Sequence, residues 1–253
     1  MSVTYLSKQN NKENTMKAEG SGFTLAEVLI TLGIIGIVAA MTLPTVINNS
    51  RNKQLEAGLR RSYSIISQAL DMYQAETGER ITQDTISVKK LLIKYIQTAR
   101  DCGQGSESSE AALEKVCIPN YVNTGSTEKN STKYKTFNGK SNIILGYFDD
   151  GQFVMNDGSL VLLENRIFNN KENVLYISVD VNGYNKNPNR LGQDLFMFQI
   201  DKKGKLLPMG VEGTTYYSST DEYCSASSTS NINGAGCTYN ALTDKDYFKN
   251  LPK

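Results

Sequence analysis

The side chain whose position asks most of chemistry is Glu27. It stands just before an apolar run, residues 28–43, that holds no Asp, Glu, Lys or Arg. An ionised carboxylate is unfavourable by about 2.5–3.5 kcal/mol at a bilayer centre and by less near its edge. Kept in such a place, it calls for a cation that neutralises it. A second set, Asp180, Asn182, Asn189 and Asp194, gathers hard oxygen donors of the kind calcium takes. Their spacing does not match an EF-hand loop, and a tight turn capped by its own Asp and Asn side chains is the plainer reading. The third set is four cysteines, Cys102, Cys117, Cys224 and Cys237. Their spacing fits no zinc motif, and an even count in an exported domain reads as disulfides. Three pairings are possible. The local ones, Cys102 with Cys117 and Cys224 with Cys237, are favoured because each closes a short, loop-rich segment.

Other chemistry is thinly represented. The chain has no histidine, which removes the commonest general base and transition-metal ligand. It shows no glycine-rich phosphate loop, no Gly-x-Ser-x-Gly elbow and no carboxylate pair at acid/base spacing. Neither an enzyme nor a bound cofactor is expected, calcium aside. A formal net charge of +1 over 253 residues gives no overall field toward nucleic acid or acidic lipid. Lys89-Lys90 and Lys202-Lys203 read as solvated faces. Tyr216, Tyr217, Tyr223 and Tyr239 lie among polar residues and are expected to pack beneath loops, with an adhesive surface as the alternative.

The elements that must position these groups begin with a helix over residues 23–46. At 1.5 Å per residue its 24 residues cover about 36 Å, enough for a hydrocarbon core of about 30 Å. Leu55, Leu59, Tyr63, Ile66, Leu70 and Tyr73 then recur at spacings of three and four, so residues 47–78 form an amphipathic continuation that stops at Gly78. Gly36 and Pro44 mark a kink. Helices are expected over 87–100 and 108–116, and an exposed loop over 119–141. Runs at 143–148, 152–155, 160–164, 174–180, 195–200 and 205–207 have strand character, and Asp150-Gly151 and Asp157-Gly158 signal hairpins. The fold class is α+β: a long amino-terminal helix on an antiparallel sheet spanning about 142–208, with an irregular tail over 213–253. Residues 79–253 make one globular head.

Gly22-Phe23-Thr24-Leu25-Ala26-Glu27, followed by the apolar helix, resembles the amino-terminal signature of type IV pilins and type II secretion pseudopilins. The resemblance is specific over about 25 residues and weak beyond them. It implies a pilin-like architecture and a leader, residues 1–22, removed by a prepilin peptidase on the cytoplasmic face. Cleavage between Gly22 and Phe23 makes Phe23 the N-methylated terminus. Glu27 becomes the assembly carboxylate, facing the new amino group of a neighbouring subunit. The implied partners are the peptidase, like or related subunits, an inner-membrane assembly platform and the bilayer; no specific nucleic-acid signal is present. The leader is long for the family, and a start at Met16 leaves the short basic form that is more usual.

Alternatives are weaker. Val38-Ala39-Ala40 loosely resembles a secretory cleavage site, but the apolar stretch is long, follows Glu27 and continues into an amphipathic helix. Lys8, Lys12 and Lys17 on one side and Arg51, Lys53, Arg60 and Arg61 on the other leave orientation undecided by charge. The resemblance and the cysteines place the head outside the cytoplasm. The expected function is a structural subunit of a type II secretion pseudopilus or a type IV pilus. A monomeric membrane-anchored binding module or adhesin is the alternative, although a mere tether gains nothing from Glu27.

Overall fold

The computed structural model describes residues 22–104, 116–118, 133–168, 172–217 and 221–252. The chain divides into two compact units, up to Ile47 and from Asn48 onward. One helix, α1, runs Leu25–Thr77 through Gly36 and Pro44. Its part in the first unit is exposed around its circumference. It includes a window with a mean hydropathy of 2.2, so the helix is long and apolar enough to cross a membrane. Thr31 and Thr42 donate their hydroxyls back to the carbonyls of Val28 and Val38, which satisfies them without solvent. The helix ends at Gly78, whose φ of 75° and N–H bond to Gln74 O (2.9 Å) close the last turn.

The second unit is built on a six-stranded antiparallel meander in sequential order. The strands are β1 Thr98–Asp101, β2 Gly151–Met155, β3 Leu160–Phe168, β4 Glu172–Asp180, β5 Leu195–Ile200 and β6 Leu206–Pro208. Alternation sends successive side chains to opposite faces. Phe153, Val161, Leu163, Ile177, Phe196 and Phe198 share one core with Leu55, Leu59, Ile66, Ala69 and Leu70 of α1. Gly58 brings the helix close: a Cβ there would lie 3.1 Å from that of Val181. The opposite face, with Val154, Leu160, Leu162, Tyr176, Leu195 and Met197, packs against Ile118, Tyr134, Ile143, Leu145, Phe148 and Tyr216 from irregular segments. Both faces are covered, so β2 and β5 are buried at every position.

The outer strands are poor rims. The register of β1 slips between Thr98 and Arg100, and β6 has three residues and ends in proline. Several expected boundaries move. The helix expected over 87–100 is confined to α2, Val88–Leu92; the chain then turns, and Thr98–Asp101 joins the sheet. The strand expected at 143–148 is a 3-10 turn, Leu145–Tyr147, because Ile143, Leu145 and Phe148 are used as cover for the far face. Asp157-Gly158 turns β2 into β3, whereas Gly151 begins β2. The tail also holds a helix, α3, Cys237–Thr243. The helix expected at 108–116 and most of the 119–141 loop lie outside the described residues.

Candidate functional site

Gly22 and Phe23 precede α1 with no helical structure, and Phe23 is 87% exposed. At the helix start, Glu27 is satisfied locally. Its Oε2 accepts the Thr24 N–H (2.8 Å) and the Thr24 hydroxyl (2.9 Å), while Thr24 Oγ1 accepts the Glu27 N–H (3.2 Å). This is a capping box, in which two otherwise unpaired donors are satisfied reciprocally. The carboxylate also faces the positive end of the helix dipole. Thr24-Leu25-Ala26-Glu27 is the capping signature, and the sequence reading passed over it.

The oxygen-rich stretch folds as a turn held by its own carboxylates. Asp180 Oδ1 accepts the N–H groups of Asn182 (3.2 Å) and Gly183 (2.9 Å), and Oδ2 accepts the Tyr134 hydroxyl. Asp194 accepts the N–H groups of Asn189 and Arg190, both at 2.7 Å. Each carboxylate oxygen therefore already has a donor. The Oδ1 atoms of Asn182 and Asn189 are buried without a hydrogen-bond partner. A calcium ion would find these two amide oxygens open but would compete with backbone donors for the carboxylates. Burial raises Asp180 to about 6, opposed by its bonds from Tyr134, Gly183 and Asn182. Burial and the neighbouring Asp180 charge push Asp194 well up.

Cys102 pairs with Cys117 and Cys224 with Cys237. The first bridge leads into Ile118, whose N–H and carbonyl are both bonded by the Gln152 side chain on β2 (3.0 and 2.9 Å). The second joins the loop after Tyr223 to α3. Tyr216 and Tyr223 are ring-packed with each other, and Tyr216 also meets Tyr147 and Tyr176. Tyr217 and Tyr239 are exposed.

One group was not singled out in the sequence. Asp149, Asp150 and Glu164 place carboxylate oxygens within 4.8 Å of one another. Glu164 is buried, and its pKa is raised to about 9, first by burial and then by its contact with Asp149. Nothing in the alternation of β3 marks it, because the acids opposite arrive only through the β2–β3 register.

Among the described residues these groups are not assembled into one centre: the capping box, the turn at 180–194 and the acid trio belong to separate segments. Comparison with protein-family models, with curated proteins and with solved structures returns no match for this chain.

Proposed function

We propose that this chain is a pilin-like structural subunit, cut between Gly22 and Phe23, N-methylated at Phe23 and assembled through α1 into a type II secretion pseudopilus or type IV pilus. The observation that carries the reading is the Gly22–Glu27 signature directly ahead of a membrane-length helix with one carboxylate at its start. An N-methylated amine remains protonated at neutral pH, and in hydrocarbon its charge is best met by the carboxylate of a neighbouring copy. The exposed apolar half of α1 then packs against its like. The exported head, held by two disulfides, stays outside the cytoplasm.

The test is mass spectrometry of the mature amino terminus from cells with and without a prepilin peptidase. The expected product begins at N-methylated Phe23 only when the peptidase is present. Cleavage after Ala40, or an intact leader in both strains, overturns the proposal.

The capping box favours a second reading, a membrane-anchored binding module that never polymerises. Glu27 has a purely local use in bonding to Thr24, and a simple tether would share it. The two readings separate on whether Glu27 needs its charge or only its hydrogen-bonding oxygen.

A further inference from the structure

The chain is nearly neutral overall, but the second unit is not evenly charged. The end of the sheet where β4 finishes and β5 begins lies against the early turns of the helix's buried stripe, through Gly58 and Val181. Segments 133–142, 181–194 and 244–252 close this end and are tied together. Lys135 N donates to Asn189 O (2.9 Å), and Leu191 N donates to Lys135 O (2.9 Å). The Phe137 ring stacks on Tyr247, and Arg190 Nη1 donates to Pro252 O (3.1 Å). Asn52 of α1 joins them by donating to Phe248 O.

Residues 133–142 and 181–193 contain no Asp or Glu, yet hold Lys133, Lys135, Lys140, Lys186 and Arg190. Arg51 and Lys53 on the helix and Lys245 and Lys249 on the tail extend the same end. The acids nearby are mostly taken. Glu56 pairs with Arg60 (3.1 Å), Asp157 with Arg61 (3.2 Å) and Asp246 with Lys249 (2.6 Å). Asp180 and Asp194 are buried and bonded to N–H groups and Tyr134. Among the described residues of these segments, Asp244 is the one exposed carboxylate outside an ion pair. The basic end follows closely on the apolar segment: only Asn48, Asn49 and Ser50 separate Ile47 from Arg51.

We infer that this basic end of the head sits on the headgroup layer of the membrane that α1 enters, with anionic phospholipid as its partner. The inference rests on the membrane-spanning reading of α1. Lysines and arginines near an anionic surface are attracted additively within a Debye length, about 8–10 Å. Charge of this sign outside the cytoplasm runs against the usual bias of Lys and Arg toward the cytoplasmic side, and a lipid contact gives it a use. Nucleic acid is the other common polyanion; single strands gain from exposed rings on which bases stack. Here Tyr134, Phe137, Tyr184, Tyr247 and Phe248 are all buried.

The test uses the full chain in nanodiscs of phosphatidylcholine alone or mixed with phosphatidylglycerol. Hydrogen exchange is read in segments 133–142 and 181–193, with β5 as the internal reference for folding. Exchange is expected to be several-fold slower in the anionic discs. High salt and the variant K135E/K140E/K245E are each expected to abolish the difference, with K135Q/K140Q/K245Q intermediate. Equal exchange in both discs overturns the inference. So does protection by duplex DNA in neutral discs that matches the effect of phosphatidylglycerol. Disc incorporation is checked first, and a chain that fails to incorporate sinks the membrane-spanning reading and this one with it.

Discussion

Glu27 caps the helix start, and its proposed assembly role is separable from that cap by one substitution. In Glu27→Gln the amide oxygen still accepts the Thr24 N–H, and Gln serves a capping box as Glu does. The helix start and membrane insertion should be unchanged. What is lost is the charge that the proposed pairing with a neighbouring amine needs, so filament or pseudopilus yield is expected to fall by roughly tenfold or more. Sheared-filament or cross-linking assays read the yield, and wild-type yield leaves Glu27 as a cap alone. Glu164 makes a different prediction. Its pKa is raised from 4.5 to about 9, so the folded chain holds this proton more tightly than the unfolded chain. The contribution of Glu164 to stability is therefore greatest below 4.5 and declines as pH rises from there toward 9. Glu164→Gln should flatten the decline of melting temperature with pH. It will not remove it, because Asp180 and Asp194 are also raised and act with the same sign. An unchanged pH profile in the variant would reject the assignment. The capping box was legible in Thr24-x-x-Glu27, whereas the environment of Glu164 was not, since it depends on pairing between residues 15 apart.

Elements were legible where local periodicity and tertiary use agreed. The stripe from Leu55 to Tyr73 and the runs at 195–200 and 174–180 are found where they were expected. The segment 143–148 looks like a strand but serves as cover, and no local signal distinguishes an apolar run that pairs from one that only packs. Residues 93–101 fail for the opposite reason: helix-like spacing is overridden when Thr98, Arg100 and Asp101 find partners on β2. At Gly58, α1 comes close to Val181, just past the end of β4. Gly58→Leu should push α1 away from Val181 and destabilise the protein by about 1–3 kcal/mol. Chemical denaturation of the full chain in detergent measures this, and a loss below a few tenths would mean that the contact yields easily.

At the scale of the molecule, the α+β class and the meander order follow from delimited strand runs joined by short turns. The second layer was not legible, because the far face of the sheet is covered by irregular segments that have no period to read. The Cys102–Cys117 bridge sits in that cover, whereas Cys224–Cys237 packs with the core on the α1 side; they span 15 and 13 residues. Each closes a loop of a size associated with about 3 kcal/mol of stabilisation. Reducing both should lower the denaturation midpoint markedly, and Cys224→Ser/Cys237→Ser alone should account for about half. A midpoint indifferent to reductant would contradict this role.

The two rims of the sheet bear on how many copies can coexist. Pro208 has no N–H to offer a passing strand, and the slipped register at Arg100 spoils the row of donors and acceptors on the other rim. Heads crowded together are therefore poor seeds for cross-β growth. Copies of this chain held close together should therefore stay separable rather than fuse through their sheets. Such reversibility is denied to a protein whose sheets can splice end to end.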